Sequence, residues 1–572
     1  MTTTAENTVP PESGPYPKRW LALGVLLAAA FMDLLDVTIV NIALPDIRND
    51  LSAGYAASQW VVTAYTLAFG LGLITGGRMG DRYGRKRIFL LGIGLFTLSS
   101  LLCGLAPSVE VLVTARAVQG IASALMVPQI MATVYAIFPG NERGGASGAY
   151  GAVTGLAAVA GPLLGGVFVA YDVLGLGWRA VFLVNVPIGV AALFAASVLV
   201  PETKSDFPLR MDILGVVLVS ASLLLLLYPL VQGRTSGWPA WMVIALIAAP
   251  VVMVGYALHA RAKERRDHSS LVPLRLFGQP GFSAGTIVLF VFDATMIGFF
   301  LAISLTLQIG LGYSAMRTGL LFLPWAIGAG LTSGAADGLV GKLGRHLLTA
   351  GALVMAAGML WFSMALEPGA SWYELAPGLF LAGIGMGGVI GPAFTVAGAH
   401  VEGRDAGAAA GSLSAAVQLG NATGAALLGV LLFTPLANAA PDAYDGHDKQ
   451  LRSELIAAGT PAAEARELSG ELRPCFLDYA KEENPDKQPA SCGTAFAKAG
   501  SDPKVQQAVD KAVDASRADM FTDTFGRFVW FTVSGLVVVA LLAQTMPREV
   551  RGYESWGEEG EGEEKDRAEA KS

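Results

Sequence analysis

The chain has 572 residues, of which 53% are hydrophobic and only 15% charged, whereas soluble domains carry about 25% charged residues. Its net charge of -7 comes from 39 basic and 46 acidic side chains, with an acidic run from Glu558 to Glu564 near the end, so the balance supports neither nucleic acid nor an anionic surface as a partner. This composition excludes an ordinary water-soluble fold and points to a chain solvated largely by lipid.

The segment Met1 to Pro17 is polar and proline-rich and lacks the basic region, short apolar stretch and cleavage site of a signal peptide. Apolar runs of about 20 residues, enough to cross roughly 30 Å of hydrocarbon, then recur along the chain. They lie near 20-45, 58-77, 88-106, 109-134, 146-170, 180-200, 213-231, 240-258, 281-307, 317-341, 347-366, 375-398, 408-434 and 525-546, which predicts about fourteen spanning helices. Basic residues gather in alternate loops: Lys18 and Arg19, Arg82 to Arg87, Arg143, Lys204 and Arg210, Arg261 to Arg266, Lys342 and Arg345, Arg404, Arg548 and Arg551. The intervening loops hold little beyond Arg48, Arg179, Arg234 and Arg317. Because basic loops stay on the cytoplasmic side, both termini are expected there, in a multi-pass protein of the cell membrane.

The first span carries Asp33 and Asp36, at i and i+3 and so on one helix face. Two carboxylates in a low-dielectric setting oppose each other's ionisation, which suits a proton carrier; a structural reading of Asp36, hydrogen-bonded to Thr38 or a nearby helix, stands beside that one. After the second span comes Gly77-Arg78-Met79-Gly80-Asp81-Arg82-Tyr83-Gly84-Arg85-Lys86-Arg87. Here Gly80 and Gly84 suit a tight turn, and Asp81 is placed to accept from Arg85 or from a helix N-terminus. In the fourth span Arg116 begins the stretch to Ala124. An arginine at a helix centre costs about 2.5 to 3.5 kcal/mol, so it should face a partner or a wet cavity, unless it snorkels from the outer end just after Val111. The fifth span repeats small residues at Gly148, Ala157, Gly161, Gly165 and Gly166 around Pro162, a face that permits close helix approach and a bend.

Asp293 lies mid-way along the ninth span among Phe290, Phe292, Phe299 and Phe300. It is a candidate for binding protons or a cationic substrate, against the reading of a buried hydrogen-bonded acid. Trp60, Tyr65, Phe292 and Trp325 are candidates for lining a pocket or for packing. After the tenth span, Gly338 to Arg345 echoes the earlier loop: Gly344 and Arg345 match Gly84 and Arg85, while Gly341 stands where Asp81 would. Such a degenerate second copy is expected of two repeated halves. Between the last two spans, about Pro435 to Thr524, Val505, Val509 and Val513 with Ala508 and Ala512 recur at helical spacing, an amphipathic helix suited to capping the membrane mouth. If that loop is outside, Cys475 and Cys492 can close a disulfide worth about 3 kcal/mol; the alternative is two free thiols. Neither the cysteines, Cys103 included, nor the scattered histidines show metal-ligand spacing.

The Gly77 to Arg87 pattern resembles the cytoplasmic signature loop of the major facilitator superfamily. The resemblance implies that Gly77, Gly80, Asp81, Arg82, Gly84, Arg85 and Lys86 lock and release two halves. Arg116 to Ala124 resembles the same family's fourth-helix motif, whose arginine is linked to proton coupling. The fifth-helix spacing, with Ala157 replacing one glycine, resembles its antiporter motif and points to exporters. Asp36 to Pro45, with Gln59-Trp60, Tyr65 and Trp178-Arg179 leading to Asn185-Val186-Pro187, is similar to the fourteen-helix drug:proton antiporters; Asp33 lies outside that motif.

The expected fold is therefore an all-α membrane protein, a major facilitator fold of two six-helix bundles plus two extra central helices. Residues 1-19 form a tail, 20-200 the first bundle, 201-280 the extra pair and linker, 281-546 the second bundle with the loop at 435-524, and 547-572 a disordered tail. The implied function is proton-coupled efflux of amphipathic organic compounds, cationic ones included, with Asp33, Asp36, Arg116 and Asp293 at the coupling and substrate site. A symporter importing a nutrient is the alternative. No phosphate-cradling loop is visible, so the expected driver is a proton gradient with no cofactor; no His, Cys or acid cluster suggests an enzyme.

Overall fold

The computed structural model describes residues 16-53, 55-203, 212-233, 237-267, 270-399, 401, 405-481, 489-493 and 502-546, and these are helical almost throughout, with no strand among them. The tail at 547-572 and most of the tail at 1-19 lie outside the described residues. The first half comprises α1 (Arg19–Asp50), α2 (Tyr55–Tyr83), α3 (Arg85–Gly104), α4 (Val109–Ile137), α5 (Gly140–Ala170), the single turn α6 (Ala180–Leu183) and α7 (Asn185–Leu199). An extra pair follows, α8 (Ile213–Gln232) and α9 (Ala240–Asp267). The second half holds α10 (Leu274–Phe277), α11 (Pro280–Leu305), α12 (Ala315–Leu321), α13 (Leu323–Leu343), α14 (Arg345–Ala365), α15 (Trp372–Gly387), α16 (Ile390–Gly398) and α17 (Ala406–Leu431), then α18 (Phe433–Ala457), α19 (Ala462–Lys481) and α20 (Pro503–Ala543).

Among the described residues, 13 helical stretches are long and apolar enough to cross a membrane. The 31-residue α5, packed along α1 and α13, adds the fourteenth. A bilayer core offers no hydrogen bonds, so every spanning segment must satisfy its backbone internally, as a helix does. The side chains are arranged inside out relative to a soluble protein. Phe194, Ile247 and Val251 are at least 65% exposed, whereas Asp36, Arg116, Gln119 and Asn185 are at most 1% exposed.

Within the first half α1 packs on α5, α2 on α4, and α3 on α4 and α7; within the second, α11 packs on α17, α13 on α15, and α14 on α15 and α20. The halves meet along two seams, α5 against α13 and α2 against α17. The extra pair covers the second seam: Val219, Leu223 and Leu227 of α8 share an apolar cluster with Ile74 of α2 and Ala415 and Ala422 of α17.

Several spans differ in detail from the sequence reading. The tenth breaks at Phe322 between α12 and α13, and the twelfth at Gly388-Val389, just after a run of glycines that weakens helix continuity. The segment expected as a loop at 435-524 is largely helical where described. The helix α18 continues α17 beyond the apolar run, and α20 is one helix of 41 residues that begins in this segment and becomes the last span. No glycine or proline interrupts it between Lys504 and Phe525, so nothing ends the helix as polarity falls. Val505, Ala508, Val509 and Ala512 are buried with Leu436, Tyr444, Leu455 and Leu472, giving this cap a core of its own. Cys475 and Cys492 are joined by a disulfide within it.

Candidate functional site

A polar cluster is sealed inside the first half where α1, α2, α3, α4 and α7 converge. Asp36 Oδ2 accepts from Arg116 Nη1, and Asp36 Oδ1 accepts from Gln119 Nε2 and Asn185 Nδ2, each at 3.0 Å. Arg116 Nη1 also donates to Gln119 Oε1 at 2.8 Å, and its Nε to the Val61 carbonyl at 3.0 Å. Gln119 and Asn185 both donate to Ser100 Oγ, which itself donates to the Phe182 carbonyl at 2.9 Å. The guanidinium lies 4.2 Å from the centre of the Tyr65 ring. Arg116 is thus buried and paired rather than snorkelling, and Thr38 instead donates to the Leu34 and Leu35 carbonyls. Asp33 occupies the adjoining compartment: it accepts from the Tyr65 hydroxyl at 2.5 Å and from Ser123 Oγ, and those hydroxyls lie 3.1 Å apart. Removing one partner of a buried ion pair costs about 3 to 5 kcal/mol, so the Asp36–Arg116 pair holds together as a unit.

A second cluster ties the halves together at the end of the bundle that carries the basic loops. Asp81 accepts from Arg85 Nη2 at 3.1 Å and lies 4.0 Å from Arg78 Nη1. Arg78 also reaches within 4.0 Å of Asp405 at the start of α17, and donates to the carbonyls of Ser270 and Leu271 in the linker after α9. Arg275 closes the group, donating to Asp405 at 2.6 Å. Lys86 donates to the Ser197 carbonyl, Arg82 is exposed beside Tyr83, and Gly77 and Gly80 are buried in α2. Gly84 has φ +103°, and its counterpart Gly344 has φ +50°, a region that favours glycine. The second copy serves its own half, since Arg345 donates to the Gln544 and Met546 carbonyls at the end of the last span.

The small-residue face of α5 is shared between two partners. Gly161 abuts Thr38 and Gly165 abuts Ile39 and Ile42 of α1, with Ala157 buried beside them. Gly148 instead abuts the Ser333 backbone of α13 across the seam, and Gly166 faces open space. The helix runs without a break through Pro162, whose side chain lies outside the described residues. Asp293 is buried on α11 next to Gly420 of α17, and its Oδ2 has no hydrogen-bond partner. Phe299, Phe300 and Trp325 pack ring on ring, so the aromatics near it belong chiefly to the core.

The Major Facilitator Superfamily pattern matches residues 26–425, and the chain is 40% identical over 95% of its length to the "Probable actinorhodin transporter" of Streptomyces coelicolor, covering 94% of that protein. The chain belongs to the major facilitator superfamily. This facilitator is also 38% identical over 74% of its length to the "Puromycin resistance protein" of Streptomyces alboniger, of which 84% is covered. It is 32% identical over 76% of its length to the "Tetracenomycin C resistance and export protein" of Streptomyces glaucescens, of which 80% is covered. Solved structures agree on the fold. The proton:xylose symporter XylE superposes with a TM-score of 0.52 at 16% identity, covering 81% of this chain and 94% of that one. A bacterial homolog of the human lysosomal transporter Spinster gives 0.52 at 18% identity, covering 93% and 98%.

Sequence reasoning on this facilitator missed the residues that complete each cluster. Gln119 and Asn185 lay within quoted motifs without an assigned role. Arg78, Arg275 and Asp405 were not singled out for the cluster at the basic end, although an acid directly before the Gly/Ala-rich start of α17 was a usable signal. Tyr150 of α5 lies within electrostatic range of both Asp33 and Asp293.

Proposed function

We propose that this facilitator exports amphipathic organic compounds of the antibiotic class from the cytoplasm in exchange for protons. The observation that carries the substrate class is its 40% identity, across nearly its whole length, to a protein named as a probable actinorhodin transporter, and its likeness to a protein named for tetracenomycin C export supports the direction. A buried set of ionisable groups in the first half and an unpartnered carboxylate, Asp293, in the second supply what exchange requires: groups whose charge state can favour one conformation over another. The gathering of basic loops at one end supports a cytoplasmic location for both termini.

Everted membrane vesicles test the reading, with actinorhodin, puromycin and tetracenomycin C as trial compounds. Acidifying the lumen should drive at least one of them inward, and a protonophore should abolish uptake. Uptake that needs ATP, or substrate movement only in the same direction as the protons, as in a nutrient symporter, would defeat it. For topology, reporter fusions at Asp442 and Glu558 should report opposite sides of the membrane; the same side for both means that the span count between them is wrong.

A further inference from the structure

Asp33 and Asp36 share one face of α1 but meet opposite chemistry. The groups facing Asp36, the Gln119 and Asn185 amide nitrogens and Arg116 Nη1, offer hydrogens and no lone pairs. A proton on Asp36 would set O–H against N–H and strand a buried guanidinium. The groups facing Asp33 are hydroxyls, which both donate and accept. With Asp33 ionised, Tyr65 and Ser123 each donate to it. With Asp33 protonated, its O–H donates to the Tyr65 oxygen, Tyr65 turns to donate to Ser123 Oγ at 3.1 Å, and Ser123 still donates to Asp33. Three hydrogens then make three bonds where two made two, so neither state leaves a buried polar group unsatisfied.

Resting on the proton-exchange reading above, we propose that Asp33 carries the exchanged proton, whereas Asp36 is a fixed negative charge that positions Arg116. One proton passes from bulk water to the Asp33 carboxylate and returns to water on the other side; only its O–H bond forms and breaks. The other titratable or charged groups facing Asp33 are Asp36 on α1, Tyr65 on α2, Arg116 on α4 and Tyr150 on α5. The adjoining α6 and α7 contain no titratable side chain. Tyr65 joins the two compartments, its hydroxyl on Asp33 and its ring against Arg116. The motif resemblance favours Asp36 as the carrier, and the partner chemistry reverses that choice.

Infrared difference spectra of the purified full-length protein, recorded between neutral and acidic pH, read the carboxylic C=O band without needing a substrate. Asp33→Asn should remove one titrating band that survives in the double variant Asp36→Asn with Arg116→Gln, from which both buried charges are gone. Ser123→Ala should displace the midpoint of that band by about one pH unit, the scale of one hydrogen bond to a charged group. A full spectrum in Asp33→Asn, or a band missing from the double variant, overturns the proposal. If Asp33→Asn fails to fold by size exclusion, Ser123→Ala and Tyr65→Phe keep the carboxylate, and a midpoint unmoved in both overturns it equally. A band lost with Asp33→Asn, where the wild type shows no proton-driven uptake in vesicles, refutes proton-coupled export and leaves Asp33 standing only as the carboxylate that titrates. Proton-driven uptake with no band assignable to Asp33 does the reverse.

Discussion

A buried charge is tolerated only where its partners are fixed, and this sets what single substitutions do here. Asp81 is wedged between Arg85 and Arg78, far along α2 from the Asp33 and Asp36 cluster, so its charge acts on the packing of the basic end. Asp81→Asn should slow transport by about tenfold, equivalent to roughly 1.4 kcal/mol taken from the locked state, while equilibrium binding of a transported compound is nearly unchanged. Equal loss of rate and affinity would show that the residue acts on binding instead. Asp293 has a different situation, since its Oδ2 is buried with no partner and is free to pair with a cationic ligand. Asp293→Asn should weaken export of cationic compounds much more than of neutral ones, measured as separate transport rates; an even loss across both classes would assign it a packing role.

At the scale of elements, the cap is built from extensions of spanning helices. The α18 segment continues α17, and α20 carries its cap face and its membrane span in one rod. The disulfide closes a sequence separation of 17 residues between α19 and the segment before α20. The cap core is formed by α18, α19 and the start of α20, while the polar cluster lies in α1, α2, α3, α4 and α7. Replacing both cysteines with serine should therefore lower cap stability by about 3 kcal/mol, on the loop-entropy scale, and expose α19 to limited proteolysis, with export retained. Loss of export at an intact cap would contradict this separation.

For the whole molecule, the decisive feature is that one contact group spans the first half, the extra pair and the second half. Arg78 of α2 holds the linker carbonyls of Ser270 and Leu271, and Asp405 at the start of α17 gathers Arg78 and Arg275. Closure at the basic end thus depends on the linker after α9 as well as on the two bundles. Asp405→Asn should loosen that end and raise the labelling rate of a cysteine placed at Gly411, which packs on Leu73 and Ile74 across the seam, by about tenfold for each 1.4 kcal/mol lost. An unchanged rate would mean that the apolar seam alone keeps the end shut.

The spans, their number and the two-half plan were legible in the sequence because lipid imposes one rule on every segment: an apolar run long enough to cross must be a helix. The turn at Gly84 and its echo at Gly344 were legible for a local reason, as positive φ favours glycine. What the sequence could not reveal was who pairs with whom. Asp36 meets Asn185 across 149 positions, and Arg275 meets Asp405 across 130, so these pairs are set by how helices stack and leave no local pattern. The continuity of α20 was hidden because its cap half is polar on the exposed side and apolar only toward a core that other helices supply. The sequence by itself determined a helical facilitator and its candidate charges; only the tertiary structure decided which carboxylate sits among donors and which among hydroxyls, because a carboxylate's chemistry is set by the groups packed around it.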